Sequence, residues 1–303
     1  MKVGMVGIGD IARKAYLPIL GTRSDIELSI ASRNESVIHQ VGEQYHINNR
    51  FTTLQELIAS QIDVAFVHSA TAVHAEMLRE LIEAGITVFV DKPIAYHLHE
   101  AEELLQLARA KQVGIMVGFN RRFAPMYRSM REGTSRPETI LMQKNRTAPV
   151  SNLRSTVMDD FIHVVDTLVS FIGEPRGFEV QGNLEEGNVH YLVLHLHGEQ
   201  STAIGIMNRH TGVTEERLEV MSEGKKQVVH NLVQTILYEN DTEVHQGFGD
   251  WTTTLYRRGF VDMLDHFFNC VQHQVPFETS GDQALWTHRI CEDIIASLES
   301  RNV

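Results

Sequence analysis

Two groups of side chains in this sequence have the types and spacing that proton transfer requires. Lys92 lies in an Asp-Lys-Pro loop that follows an apolar run. Asp159 and His163 are one helical turn apart in a predicted helix, where they and Asp166 fall within an arc of about 60°. An imidazole titrates near neutrality, so His163 is a candidate acid or base with Asp159 as its neighbour. The same polar face is also typical of an ordinary amphipathic helix that faces water.

A glycine-rich turn near the N-terminus has the pattern of a pyrophosphate site. An apolar run at residues 2–6 leads into Gly7-Ile8-Gly9, and Ala12 follows. A strand that ends at Gly7 and a helix that begins after Gly9 would direct unpaired backbone N–H groups and a positive helix end at one point. Gly7 would allow the tight turn, Gly9 would let phosphates approach the backbone, and Ala12 would keep the helix close to the strand.

The elements around this turn alternate in the order of a doubly wound fold. Strands are predicted at residues 2–6, 26–31, 50–52, 62–68, 86–90 and 113–117, and helices at 11–20, from the Thr53-x-x-Glu56 capping box, at 72–84 and at 98–111. Near-continuous apolar strands between helices indicate a parallel sheet covered on both faces. Ligands bind beyond the carboxyl ends of such strands, where loops 68–71, 91–93 and 118–122 are expected.

The residues after the second strand bear on the identity of the nucleotide. A site for NAD has Asp or Glu here to bond the ribose 2′-hydroxyl, whereas this chain has Ser32-Arg33-Asn34. A hydroxyl followed by a guanidinium suits a 2′-phosphate, because Arg presents a planar fork of charged donors. We therefore predict NADP in preference to NAD, with a solvated loop as the alternative interpretation of Arg33.

Beyond residue 120 the pattern changes to that of a largely antiparallel sheet. Strands are predicted at residues 139–146, 178–183, 189–197, 200–208, 218–222 and 227–232, joined by short polar turns. One helix at residues 158–172 interrupts them, and two amphipathic helices, at 252–273 and 283–298, close the chain. The sequence therefore predicts an α+β second half.

Composition argues against several classes of function. The formal net charge is -12 over 303 residues, and no basic run is longer than a pair, so nucleic acid is not an expected partner. No membrane span and no signal-peptide pattern are present, so we expect a cytoplasmic protein without a membrane partner. Cys270 and Cys291 lie in amphipathic helical patterns and are expected to be reduced core thiols.

One predicted strand is rich in histidine. His195 and His197 alternate onto one face, whereas His190 points to the other, so three imidazoles do not converge on a metal. We therefore expect solvated or interface histidines, no metal site and no metal hydrolase. Apolar residues occur on both faces of this strand, which predicts self-association, as a homodimer or a dimer-based oligomer, through the open face of the sheet.

Four motifs together resemble the Gfo/Idh/MocA oxidoreductases, over nearly the whole chain, and look most like the MviM-like branch. They are Gly7–Ala12, Asp91-Lys92-Pro93, Arg122-Phe123-x-Pro125 and Asp159-x-x-x-His163-x-x-Asp166. The resemblance implies a nicotinamide cofactor, NADP or NAD, and a final helix that returns to the nucleotide domain. It also implies that Lys92 bonds the reacting hydroxyl or carbonyl, that His163 moves its proton and that Asp159 holds the substrate.

The sequence departs from the family pattern at two places. Asp91 stands where the family usually has Glu, a small change that keeps the lysine in place. Residues 153–158, Leu-Arg-Ser-Thr-Val-Met, replace a glycine cluster that many members carry, so a bulkier pocket wall is expected. The identity of the substrate cannot be carried over from the family.

These observations predict an NAD(P)-dependent dehydrogenase or reductase that acts on a secondary alcohol or carbonyl of a sugar, polyol or related small metabolite. A non-catalytic NADP(H)-binding sensor of the same fold is the alternative, favoured by the bulkier wall. We expect a Rossmann domain at residues 1–120, with helix 281–303 packed on it, and an α+β substrate and dimerisation domain at 121–280. The catalytic residues would be Lys92, His163 and Asp159. The cofactor residues would be Gly7, Gly9, Asp10, Ile11, Ser32, Arg33, Ser69, Thr71, His74, Asp91, Lys92, Asn120 and Arg122.

Overall fold

Short apolar strands pair in parallel in the first part of the chain. In this computed structural model, which describes residues 1–147 and 149–301, six strands form the first sheet. They are β1 (Lys2–Val6), β2 (Glu27–Ala31), β3 (Asn49–Phe51), β4 (Val64–Val67), β5 (Thr87–Val90) and β6 (Ile115–Val117). All neighbours are parallel, in the order β3-β2-β1-β4-β5-β6, and every residue of β4 is buried, as expected for a sheet covered on both faces. This confirms the predicted Rossmann sheet.

The order of the strands reverses at β1. Its neighbours are β2 on one side and β4 on the other, so the crevice beyond the carboxyl end of β1 is the topological switch point of the sheet. Gly7 follows β1 directly. The glycine turn therefore lies where open α/β sheets bind their ligands.

Helices connect these strands. They are α1 (Leu17–Leu20), α2 (Glu35–Gln44), α3 (Leu54–Ala59), α4 (His74–Glu83) and α5 (Leu98–Lys111). Three of those described, α2, α3 and α5, begin at a capping side chain. The predicted capping box is present, because Thr53 accepts from the backbone of Glu56 while the Glu56 carboxylate accepts from the Thr53 N–H. The predicted helix at 11–20 is a π-helical turn, Ala12–Tyr16, followed by α1 with Pro18 in its first turn. Helix α2 was not predicted from the sequence.

The second sheet is mixed but mainly antiparallel. Its described strands are β7 (Thr139–Thr147), β8 (Gly177–Glu185), β9 (Asn188–His197), β10 (Thr202–Asn208), β11 (His210–Ser222), β12 (Lys225–His230), β13 (Gln234–Glu239) and β14 (Thr242–Gly247). The order is β14-β13-β12-β11-β7-β10-β9-β8, and β7 pairs with β10 in parallel. The predicted α/β fold with a large, mainly antiparallel second sheet is confirmed.

Strands β13 and β14 were not predicted. Every residue of β14 is exposed, so this edge strand lacks the apolar alternation that identifies a half-buried strand. The turn before it has positive φ angles at Asn240 and Asp241, 52° and 58°, which is the backbone of a tight hairpin. The Asn-Asp pair was the available sequence signal.

Further helices belong to the second half of the chain. They are α6 (Pro125–Glu132), α7 (Leu153–Ser155), α8 (Ile162–Ile172), α9 (Thr254–Arg257), α10 (Phe260–His273) and α11 (Gly281–Glu299), with a π-helical turn, Thr156–Phe161, just before α8. Helix α8 packs closely on β10, because a Cβ atom added to Gly205 would lie 2.7 Å from a methyl group of Val164. This contact fixes the helix that carries His163.

The described chain divides into two compact units. The first contains residues 1–118 and 263–285, and the second contains residues 119–262 and those from Trp286 onward. The predicted domain limits remain a prediction. The observed division differs from them in the C-terminal helices, because α10 and α11 each contribute residues to both units.

The two faces of β9 differ in burial. Leu192, Leu194 and Leu196 are fully buried, whereas Tyr191 is 40% exposed on the other face. Both cysteines are buried free thiols, as expected. No helix within residues 1–147 or 149–301 is long and apolar enough to cross a membrane.

Candidate functional site

A large cleft opens beside the glycine turn of the first unit. It has a volume of about 1090 Å³ and is lined by Gly7, Gly9, Ser32, Arg33 and Ser69 among others. This is slightly more than the roughly 300–1,000 Å³ of pockets for drug-sized ligands, and it therefore suits a large ligand.

Gly7 is required at the turn for two independent reasons. Its φ is +89°, and an added Cβ atom would lie 2.3 Å from the backbone nitrogen of Ser69. An added Cβ atom at Gly9 would instead lie 3.9 Å from the nearest atom, the carbonyl oxygen of His68. The space beside Gly9 is therefore open to a ligand, which fits a bound pyrophosphate.

The residues after β2 form one wall of this cleft. Ser32 is partly exposed, and its hydroxyl accepts a hydrogen bond from the backbone of Asn34. The side chain of Asn34 in turn accepts from Val37 and caps α2. Arg33 is exposed and is the one Lys or Arg among the described lining residues. A single guanidinium is thus presented to the cleft by this wall.

The side chain of His74 holds the loop after β4 in place. His74 is 1% exposed, and its ring nitrogens lie 2.9 Å from the carbonyl oxygens of Ser69 and Pro93. The ring therefore connects this loop to the Lys92-Pro93 peptide, which is cis. Ser69 lines the cleft, while Thr71 lies in a short 3-10 turn outside the lining. Cofactor binding by His74 and Thr71 remains a prediction.

Tyr16, His68 and Asp91 form a polar cluster at the carboxyl ends of β4 and β5. The Tyr16 hydroxyl donates to Asp91 Oδ1 over 3.4 Å, and the backbone N–H of Lys92 donates to the same oxygen over 2.9 Å. Burial raises the pKa of Asp91, although the positive charge of Lys92 opposes this. Burial and the negative charge of Asp91 raise the pKa of the Tyr16 hydroxyl well above its ordinary value.

His68 lies in a loop that was expected to face the cofactor, but neither His68 nor Tyr16 was among the predicted cofactor residues. It is 3% exposed, its ring centroid lies 3.8 Å from that of Tyr16, and it lines the cleft. Burial lowers its pKa to about 3, so the ring is neutral at physiological pH. Neither ring nitrogen has a hydrogen-bond partner among residues 1–147 and 149–301. A buried polar group left unsatisfied costs about 1–3 kcal/mol, which a bound ligand with a matching donor or acceptor would recover.

The remaining predicted residues of the first unit lie around the cleft rather than in its lining. Asp10 is exposed and forms an ion pair of 2.8 Å with Lys14, and Ile11 is 38% exposed. Lys92 is partly exposed at the end of β5. Their contacts with a cofactor or substrate remain predictions.

In the second unit, Asp159 lies within a helix irregularity and His163 lies just after it. Asp159 belongs to the π-helical turn, where it accepts a hydrogen bond of 3.2 Å from the Ser155 hydroxyl. His163 lies in the first turn of α8 and is partly exposed, and its carbonyl accepts from Thr167. The π turn interrupts the 3.6-residue period on which the predicted arc of Asp159 and His163 was based. Single π turns inside α-helices occur often at functional sites.

Asp166 is a structural residue, not part of a water-facing surface. It is 1% exposed and accepts three hydrogen bonds from Arg122, the shortest of 2.7 Å, and a fourth from Thr287. Asn120 is also buried and donates to the carbonyl of Arg258 over 2.7 Å. These partners hold the 120–123 turn, and cofactor binding by Asn120 and Arg122 remains a prediction.

A buried network of charged residues in this unit was not predicted from the sequence. Arg121 and Glu216 form a bidentate pair of 2.9 and 2.6 Å, and Tyr127 donates to the same carboxylate over 3.0 Å. Burial alone would raise the pKa of Glu216, but the positive charge of Arg121 overrides it and holds the pKa at about 2. Arg128, by contrast, lies over the ring of Phe123, so nearby arginines have different roles. The sequence around Arg121 and Arg128 contains no signal that tells a buried arginine from an exposed one.

Asp160 is the second centre of this network. Its carboxylate pairs with Lys144, Arg146 and Arg209. Burial alone would raise the pKa of Asp160, but the hydrogen bond from Arg146 and the charge of Lys144 lower it well below its ordinary range. Lys144 is 2% exposed, and burial lowers its pKa to about 7. These bonds anchor the π turn that carries Asp159.

At residues 153–158, which replace the family's glycine cluster, most side chains are buried or paired. Leu153, Val157 and Met158 are buried, and Arg154 pairs with Glu292 at 2.6 Å. The bulk expected at this segment is therefore largely buried, and it adds little exposed apolar surface.

Comparison with known proteins agrees with this architecture. Residues 1–119 match the GFO_IDH_MocA family, described as an oxidoreductase family with an NAD-binding Rossmann fold, and residues 125–241 match the YceM-like C-terminal domain. The chain is 35% identical over 300 residues to YceM of Salmonella typhimurium, which bears a provisional oxidoreductase name, and the match covers 96% of each chain.

Two further comparisons extend the likeness. The crystal structure of a dehydrogenase (MviM) from Clostridium difficile is 31% identical, has a TM-score of 0.94 and covers 98% of this chain and 99% of its own. Myo-inositol 2-dehydrogenase of Thermotoga maritima is 22% identical over 311 residues, which covers 93% of this chain and 91% of its own. With the parallel sheet, the glycine turn and a full-length relative in agreement, the chain belongs to the Gfo/Idh/MocA family of oxidoreductases.

Proposed function

We propose that this oxidoreductase transfers a hydride between NADP(H) and a secondary alcohol or carbonyl of a sugar, polyol or related small metabolite. The observation that carries the proposal is the cleft beside Gly7, whose wall presents Ser32 and Arg33 where an NAD-preferring site presents a carboxylate. The likeness to a protein named as an inositol dehydrogenase supports a polyol or sugar as the class of substrate.

The preference for NADP rests on charge. Arg33 is the one described cation of the lining, while Glu35, Glu76 and Glu80 also line the cleft. A 2′-phosphate near these carboxylates needs a positive partner, and Arg33 is the residue available to supply it. The family match alone supports binding of NAD without specifying the phosphate.

The catalytic assignment is Lys92, His163 and Asp159. NADP(H), when bound, supplies or accepts the hydride, so the protein must orient the substrate and move one proton. We propose that Lys92 bonds the reacting oxygen, that His163 exchanges the proton with it and that Asp159 holds a neighbouring hydroxyl. The Asp91 carboxylate orients the Lys92 backbone through its 2.9 Å hydrogen bond, and the Asp160 pairs fix the turn that carries Asp159.

A non-catalytic sensor of NADP(H) remains the second candidate. It was favoured by the bulky segment at residues 153–158, but Leu153, Val157 and Met158 are buried. The two candidates differ in one measurable outcome, because a sensor binds NADPH without turning it over on any substrate.

The experiment is to screen NADPH oxidation and NADP reduction against sugars, polyols and keto compounds, and then to test Lys92→Met and His163→Ala. Loss of a positioned acid or base should slow turnover by about 10²–10⁴-fold. NADPH dissociation should be nearly unchanged, because neither side chain contacts the phosphates in this proposal. Gln106→Ala, an exposed change on α5, is the matched control for both measurements.

Near-parental turnover in either variant would remove that residue from the mechanism. If the parent binds NADPH tightly but turns over none of the panel, the result favours the sensor. Weaker NADPH binding in Lys92→Met would show that Lys92 belongs to the cofactor site instead.

A further inference from the structure

Three side chains with metal-binding atoms meet on the partly exposed face of the second sheet. Glu179 on β8 lies directly across the antiparallel ladder from His195 on β9, and His197 follows on the same face. The donor atoms of Glu179, His195 and His197 lie within 4.8 Å of one another. We propose that these three residues form a site for one divalent transition-metal ion, with Zn²⁺ as the best match.

The ligand chemistry selects this class of ion. Two imidazoles and one carboxylate match the three-ligand sets that Zn²⁺ uses when it keeps a fourth position for water. Mg²⁺ and Ca²⁺ prefer oxygen ligands throughout, so two imidazoles disfavour them. At ordinary zinc bond lengths, two donors on a tetrahedral ion lie about 3.3 Å apart. Nε2 of His197 already lies 3.5 Å from Oε1 of Glu179, and the two imidazole centroids are 4.2 Å apart.

The strands fix the geometry of the site. The hydroxyl of Thr202, on β10, lies 2.5 Å from Nε2 of His195 and so holds the orientation of that ring. Hydrogen-bonded partners of this kind set the direction and tautomer of metal-binding imidazoles. Gly177 lies across the ladder from His197, and even an added Cβ atom there would remain 3.8 Å from the ring, so space is left around it.

An ordinary surface contact is the competing explanation for the same residues. Glu179 is exposed, and a glutamate beside a histidine on a surface needs no metal. The two explanations differ in whether a third group matters. A surface pair involves Glu179 and His197 alone, whereas a metal site also requires His195.

The test is titration of the full chain, without a polyhistidine tag, with Zn²⁺ by calorimetry near pH 7.5. We expect one Zn²⁺ per chain, with affinity reduced more than about 100-fold in His195→Ala and in His197→Ala, since loss of an outer partner alone costs about 10–100-fold. Thr202→Val should therefore weaken binding by about tenfold or more. The matched control is His190→Ala, a histidine of the same strand outside the triad, which should bind as the parent does.

Two results would overturn the proposal. One is a parent protein that binds no Zn²⁺ at millimolar concentration. The other is a folded His195→Ala variant, checked by circular dichroism, that binds Zn²⁺ with parental affinity.

Discussion

Removal of one partner from the buried pair between Arg121 and Glu216 should cost a large and measurable part of the protein's stability. Replacing Glu216 with Gln keeps the shape of the side chain but removes its charge. The Arg121 side chain, which is 6% exposed, then stays buried beside a neutral amide. Removing one partner of a buried pair costs about 3–5 kcal/mol, because the remaining charge has lost its compensation.

The pKa of Glu216 gives a second estimate of the same contribution. Its carboxylate titrates at about 2 in the folded protein instead of at 4.5. A pKa difference of one corresponds to about 1.4 kcal/mol. The lowered pKa of Glu216 therefore means that its ionisation stabilises the folded state by about 3 kcal/mol. Folding lowers this pKa, so the stabilisation is complete above pH 4.5 and is lost as the pH falls toward about 2.

Thermal unfolding at neutral pH is the assay. One kcal/mol shifts Tm by about 2–4 °C at this domain size, so Glu216→Gln should lower it by about 6–20 °C. The matched control is Glu199→Gln, which breaks the exposed pair with Arg176 and should cost less than about 1 kcal/mol. The gap between parent and Glu216→Gln should narrow on acidification. A Glu216→Gln midpoint within about 2 °C of the parent at neutral pH would refute the reasoning.

The remaining predictions concern the cofactor and the assembly. Arg33→Ala should weaken NADPH binding by about ten- to more than a hundredfold, since a charge-assisted hydrogen bond contributes about 1.5–3 kcal/mol. The control is Glu35→Gln in the same cleft, which should not weaken NADPH binding. Equal affinity of the parent for NADPH and NADH, or parental NADPH binding by Arg33→Ala, would contradict a 2′-phosphate site. We also expect self-association through the open face of the second sheet, where Tyr191 is 40% exposed. Light scattering at micromolar concentration that finds only a 34.3 kDa particle would count against it.

Local sequence signals predicted the first sheet well. Helix α5 has the predicted limits, and the capping box at Thr53 and Glu56 formed as expected, because both depend on neighbours within a few residues. The glycine turn was also identified from local requirements, and Gly7 has the positive φ that such a turn needs.

Features that depend on distant residues were not predictable in the same way. Asp166 was assigned to a polar helix face, yet its burial depends on Arg122, which is 44 residues away in the sequence. The two π turns, Ala12–Tyr16 and Thr156–Phe161, were likewise not predicted from the sequence. The histidines of β9 were judged not to converge on a metal, and Glu179, which the structure brings beside His195 and His197, comes from the neighbouring strand.

The close approach of Gly7 to Ser69 determines whether a second mutation can restore function after Gly7→Ala. A methyl group at Gly4 would lie 2.5 Å from a side-chain atom of Ile62, so a smaller residue at position 62 would make room for it. A methyl group at Gly7 would instead meet the main-chain nitrogen of Ser69, which every residue type places at the same point. In a genetic selection, suppressors of Gly4→Ala should therefore include changes at position 62, whereas function lost through Gly7→Ala should return by reversion to glycine.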